Sequence, residues 1–330
     1  FDLMYGGDVN KWIKFANTLR LRLAMRISKV DPARAKTEAE AAVAAGLLTT
    51  SPGEDAYIQR SEVGRDNNGL SIMSDWNEFR MSASMESVLK GYSDPRMPVY
   101  FCPSEKDGSF NGLRNGLTST QLTEPINKSD ANSHVGPRWA SPNYPTGTSG
   151  YLATPQNVMS VAEGYFLRAE GAMMGWNMGG TAKDLYEAGI TNSMKQWGVS
   201  DDAAILAYIN STSLPVAPQD YLNSPAVTNI PVKFGTTATV QAEQIALQKW
   251  LAIYPDGAEA WADYRRSRLL KLYPVVNSDN PDITNTTTQW LRRIPFLLSE
   301  RQNNGAEVTK AESLLGGADK VTTPLWWDKN

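Results

Sequence analysis

"DVNKWIKFANTLRLRLAMRISKVDPARAKTEAEAAVAAG", residues 8–46, decides the fold class. Asp8 is a good N-cap, and Trp12, Phe15, Leu19, Leu23 and Ile27 recur at helical spacing with Arg20, Arg22 and Arg26 interleaved. This is an amphipathic helix. Asp31 then caps a second helix, with Pro32 at the first helical position, an alanine-rich body and Gly46 as the stop. Together they form a helix hairpin over about 8–46.

The design returns twice. "TPQNVMSVAEGYFLRAEGAMMGW" opens with Thr154-Pro155 and continues after Gly179-Gly180 into "TAKDLYEAGITNSMKQWG", which Gly198 ends, giving a second hairpin over about 155–198. "VQAEQIALQKWLAIYP" followed by "DGAEAWADYRRSRLLKL", capped afresh by Asp256, gives a third over about 238–272. Ala169, Ala172 and Ala188 with Tyr165, Leu167 and Tyr186 suit a tetratricopeptide-like unit of ~34 residues, in which small side chains let paired helices approach. The fold class is therefore all-α, a set of helix hairpins. Residues from about 49 to 153 are dense in Gly, Pro, Asn and Ser and too long for one loop, so they form a loop-rich lobe. Within it "SASMESVLKG" predicts a short helix capped by Ser82, and "NGLRNGLTSTQL" predicts turns and a small hairpin.

Composition narrows the function. With 32 Lys and Arg against 35 Asp and Glu, the net charge of -3 offers no footprint for a polyanion, so nucleic acid is not an expected partner. One cysteine, Cys102, and one histidine, His134, exclude a disulfide framework and a multi-ligand His/Cys metal site; no metal or cofactor is expected. A Ser-His-Asp arrangement would have to run through His134, and no G-x-S-x-G elbow accompanies it, so a loop histidine is the favoured reading. No apolar run reaches the ~20 residues of a membrane helix. Phe1 begins without Met or a signal-like segment, which leads us to expect a longer precursor.

Carboxylate pairs raise the question of catalysis. Glu259 and Asp263, four apart in "YPDGAEAWADYRRSRLLKLYP", share one helix face, as a general acid/base pair would. Arg265, Arg266, Arg292 and Arg293 are available as cations that would hold both acids ionised, so structural ion pairing is favoured. Glu163 and Glu170, with Arg168 nearby, invite the same reading as interhelix salt bridges. Trp326 and Trp327 read as anchors of a docked C-terminus rather than a stacking site.

Ten tryptophans and thirteen tyrosines remain. Trp76, Tyr92, Tyr100, Phe101, Trp139, Tyr144 and Tyr151 fall in or beside the irregular pieces, where exposure is expected. Sugar rings could stack on Trp76, Trp139 or Tyr144 while Asn77, Arg80 and Arg138 hydrogen-bond hydroxyls. For any one of these aromatics, core packing of an irregular lobe is the competing reading.

In order along the chain, "DVNKWIKFANTLRLRLAMRIS", "SDPRMPVYFCP", "AEGYFLRAEGAMMGW", "LQKWLAIYPDGAEAWADYRRS", "LRRIPFLLSERQNN" and "TPLWWDK" resemble the SusD/RagB-like nutrient-binding outer-membrane lipoproteins of Bacteroidetes. The resemblance covers nearly the whole chain and implies a single SusD-like domain, 1–330, with four tetratricopeptide-like hairpins against a loop-rich lobe. It further implies a surface-exposed lipoprotein of the outer membrane that hands glycans, or in some members peptides, to a SusC-type TonB-dependent transporter. The family's N-terminal part, with its signal peptide, lipidated cysteine and first helices, has no counterpart before Phe1, and Cys102 is not that anchor. The sequence thus leads to a non-enzymatic oligosaccharide-capture protein. A glycoside hydrolase on a helical scaffold and a peptide-binding, protein-interaction scaffold are the alternatives.

Overall fold

The computed structural model describes residues 1–63, 66–144 and 147–329. Helix α1 spans Val9–Arg26, and the Asp8 side chain accepts hydrogen bonds from the amides of Asn10 and Lys11, satisfying two of the donors that every helix start leaves open. Helix α2 (Pro32–Ala45) is capped by Asp31 and stops at Gly46, whose φ of 94° no residue with a side chain adopts cheaply. Ala35, Ala39 and Ala42 are fully buried, so the two helices pack closely on small side chains.

The face that α1 turns inward differs from its most apolar stripe. Thr18, Leu21, Ala24 and Met25 are buried, whereas Trp12 and Leu23 are exposed. The stripe Trp12, Phe15, Leu19, Leu23 and Ile27 instead lines an open apolar groove of about 990 Å³ shared with Trp326. The helix is apolar on two sides, and Arg22 and Arg26 select the inner one by pairing with buried carboxylates.

After α2 the chain enters the lobe, with strand β1 (Ala56–Ile58), helices α3 (Gly69–Asp75), α4 (Ala83–Gly91) and α5 (Met97–Tyr100), three single 3-10 turns, and strand β2 (Gln156–Met159). The strands form an antiparallel ribbon with Tyr57 opposite Asn157. Ser82 caps α4 through the Met85 amide, whereas the 111–122 stretch holds turns and one isolated bridge, Ser82 to Leu113, in place of a hairpin. Helices α6 (Val161–Met173) and α7 (Ala182–Gln196) form the second hairpin. Ser160, not Thr154-Pro155, is the N-cap of α6, because residues 156–159 are taken up by β2. The remaining helices are α8 (Asp202–Ile209), α9 (Ala238–Ala252), α10 (Gly257–Ser267) and α11 (Leu298–Ser313). The architecture is mainly α-helical, and no helix among the described residues is long and apolar enough to cross a membrane.

One core unites lobe and hairpins. Met85, Leu89, Tyr100, Phe101 and Trp139 from the lobe pack in a continuous cluster with Phe166, Tyr186, Trp197 and Leu251 from the helices. Most of the lobe aromatics expected at the surface are therefore interior: Tyr92, Tyr100, Phe101 and Trp139 are each no more than 3% exposed. Fully burying one such ring contributes about 1.5–3 kcal/mol, which outweighs the tendency of irregular segments to lie outside. Arg96 bolts the join. Fully buried, it contacts Asp94 at 2.6 Å and donates to Ser193, Tyr208 and Gln248 on α7, α8 and α9.

Candidate functional site

The six residues expected to meet a ligand fall into two groups. Trp76, Asn77, Arg80 and Tyr144 share one surface, while Trp139 is buried and Arg138 lies half-buried beside it. The surface group grows from the end of α3. Asn68 caps that helix through the Leu70 amide (2.9 Å), and its last turn delivers Trp76 to solvent with 64% of the residue exposed. Asn77 then reverses the chain at φ 59°, a conformation its short polar side chain tolerates better than most. The Arg80 guanidinium and the Tyr144 hydroxyl (3.0 Å) both donate to Asn77 Oδ1, and Arg80 also donates to the carbonyls of Phe79 and Ser129. The polar fork expected to greet sugar hydroxyls is thus spent largely within the protein. It fixes the platform and leaves the Trp76 ring as its main open surface.

Behind the platform, Tyr144 stacks on His134 with centroids 3.9 Å apart. His134 is buried, not a free loop residue, and lies 3.3 Å from the Ser74 hydroxyl. Its Nδ1 faces the Val135 carbonyl rather than a carboxylate, so no Ser-His-Asp relay is assembled. Burial, with the Arg80 charge nearby, holds the imidazole below its usual range. Together with Cys102, Asn132 and Glu105 these residues line a concavity of about 230 Å³.

Arg138 and Trp139 border a cavity of about 470 Å³ where the lobe meets the helices. Its walls come from Tyr57 on β1, Asn157 on β2, Met73 on α3, and Trp197, Trp250 and Tyr254 from the ends of α7 and α9. The Arg138 guanidinium stands 5.4 Å from the Trp139 ring and 5.1 Å from that of Trp197, a cation beside two indoles whose centroids are 5.7 Å apart. Sequence reasoning missed Tyr57, Asn157, Trp197 and Trp250, because nothing local marks residues that only the tertiary fold gathers.

The carboxylate pair has a structural setting. Glu259 pairs with Arg26 at 2.8 Å, and Asp263 pairs with Lys249 at 3.0 Å and Arg266 at 2.7 Å. Arg266 also holds Glu170, and Arg22 holds Glu163 through a 2.6 Å hydrogen bond, so both are interhelix bridges. Of the described arginines nearby in sequence, Arg266 alone pairs with these carboxylates. Arg168 donates to the Met178 carbonyl, Arg265 to the Arg292 carbonyl, Arg292 pairs with Asp328 and Arg293 with Asp319. Burial pushes Glu259 up, while Lys249 and Arg266 overcome the burial of Asp263 and hold it well below the carboxylate range. Divergent carboxyls of this kind mark acid/base pairs when a substrate can reach them. Here the concavity touching Asp263 holds about 10 Å³, at or below the room one water needs. Asp328 also pairs with Arg268, and Trp327 lies beneath Arg26 and Arg265, which docks the C-terminus while Trp326 stays exposed. Among the described residues no group of three or more His, Cys, Asp or Glu could hold a metal ion.

The family model for SusD-like proteins, described as SusD and RagB outer membrane lipoproteins, matches residues 1–328. The chain belongs to the SusD-like family. A chitin-binding SusD homolog from Flavobacterium johnsoniae is 42% identical with a TM-score of 0.87, the alignment covering 100% of this chain and 66% of that one. A SusD-like protein from Bacteroides thetaiotaomicron is 38% identical with a TM-score of 0.84, over 99% of this chain and 66% of that one. A SusD homolog from Bacteroides uniformis is 33% identical with a TM-score of 0.84, over 100% and 67%. This SusD-like chain thus spans about two thirds of the length of the structures it matches, and its helical fold is theirs. The comparison with curated proteins gave no match.

Proposed function

We propose that the protein is a non-catalytic binding protein that captures oligosaccharides at the outer-membrane surface and passes them to a SusC-type TonB-dependent transporter. The observation that carries this reading is the Trp76 platform: an indole 64% exposed, on a turn made rigid by the convergence of Arg80 and Tyr144 on Asn77. A flat exposed ring on a fixed backbone suits stacking against the apolar face of a sugar. Membership of a family of outer-membrane lipoproteins supports the location, and a chitin-binding homolog among the similar structures supports the ligand class.

The test is intrinsic tryptophan fluorescence titrated with chitooligosaccharides, other neutral oligosaccharides and peptides, with product analysis of the same samples. Saturable change with intact oligosaccharide is expected. Release of shorter products would overturn the non-catalytic reading, and response to peptides alone would overturn the ligand class.

A further inference from the structure

The cavity between lobe and helices contains a charge that the protein leaves unanswered. Every other described arginine that is not exposed donates a guanidinium hydrogen bond to a carboxylate or a carbonyl; Arg22, Arg96, Arg114, Arg168 and Arg266 are examples. Among the described residues Arg138 makes no such bond, and its contacts are the two indole rings. Partial burial pulls its guanidinium below the usual arginine range, and no carboxylate among the described residues stands beside it to offset that. The carboxylate on the lining, Asp256, is occupied elsewhere, accepting the Glu259 amide at 3.0 Å as the cap of α10.

Two residues that line the same space carry further orphans. The Trp197 Nε1–H, a donor, and the Asn157 Oδ1, an acceptor, are buried without partners among the described residues. Buried polar groups left unmet are costly unless a ligand satisfies them. Their inventory is specific: a guanidinium fork and an indole N–H ask for an anionic acceptor, and Asn157 Oδ1 asks for a neighbouring donor such as a hydroxyl. About 470 Å³ with aromatic walls is within the size range of small-ligand pockets.

We propose that this cavity takes the carboxylate of an acidic sugar residue, with Arg138 pairing the carboxylate and Asn157 accepting from an adjacent hydroxyl. The inference rests on the oligosaccharide reading for the identity of the ligand and adds a second site to the Trp76 platform. The shared chemistry is a carboxylate on a compact polar body, and an acidic peptide is the other source of it.

Titration calorimetry of the protein with oligogalacturonate, its methyl ester, chitooligosaccharide and an acidic peptide tests this. Oligogalacturonate is expected to bind about ten- to hundredfold more tightly than its ester, the difference one charge-assisted contact makes. Arg138→Gln should erase that preference, and Arg138→Lys should restore part of it. The ester comparison uses the unaltered protein, so it holds even if the variants fold poorly. Equal affinity for acid and ester would overturn the inference, while chitooligosaccharide binding lost in Trp76→Ala would leave the capture reading standing. Arg138-dependent binding of the peptide with silence from every sugar would overturn the acidic-sugar assignment and the capture reading together.

Discussion

Arg266 on α10 bridges Asp263, three residues back on its own helix, and Glu170 on α6, with 2.7 Å to each. Both Arg266 and Asp263 are buried. Removing one member of such a group strands the others, which typically costs about 3–5 kcal/mol. Asp263→Asn is therefore expected to lower Tm clearly while leaving oligosaccharide affinity within about twofold. Melting curves and titrations on the same preparation check this, and a large affinity loss with unchanged Tm would contradict the structural role.

Trp76 and Trp139 separate by burial, 64% against 2% exposed. Trp76→Ala should leave Tm unchanged and weaken binding of neutral oligosaccharide about tenfold, since a lost stacking partner is worth about 1–2 kcal/mol. Trp139→Ala should destabilise by about 3–5 kcal/mol, the cost of a large core truncation. Chemical denaturation distinguishes the two variants.

Asp55 sets a pH dependence. Burial pushes its carboxyl up to about 6, although it accepts from the Val161 amide and the Ser51 hydroxyl at 2.9 Å each. A folded-state value above the unfolded one means the native state binds the proton more tightly. This contribution is full below pH ~4 and is lost as pH rises to ~6. Asp55→Asn should remove it, so the stability gap between variant and parent should shift in the variant's favour by about 1–3 kcal/mol from pH 4.5 to pH 7.5. A gap that stays constant across that range would refute the assignment.

Gly189 on α7 faces the Phe166 ring of α6, where an added Cβ would sit 2.8 Å from ring carbons, whereas Gly257 at the start of α10 has open space. Gly189→Ala should cost about 1–3 kcal/mol by forcing the hairpin apart. Gly257→Ala should be neutral or gain up to about 1 kcal/mol. Thermal melts of the two variants check the contrast.

The parts of this fold that the sequence made legible are those written within a few residues. Asp8, Asp31, Ser82 and Asp256 cap the helices they were expected to cap, because a cap and its amide donors are neighbours in the chain. Pairings across the fold were not legible. Arg22 and Glu163 are 141 positions apart, and no periodicity tells an arginine whether its anion lies four residues away or on another helix. The same limit governs the candidate site. Trp76 and its neighbours could be found as a local run, whereas Arg138 and Trp139 were expected on that surface and border a cavity assembled from six stretches of chain. Aromatic content cannot separate a platform from a core, since both use large rings.

The cavity that borders Arg138 draws its walls from residues as distant as Tyr57 and Ala260. A molecule whose lobe has formed but not docked on the helices therefore has no such chamber at all. Occupancy of the chamber would count properly assembled molecules in a preparation, giving a titre of native protein that secondary-structure spectra, sensitive to helices alone, do not provide.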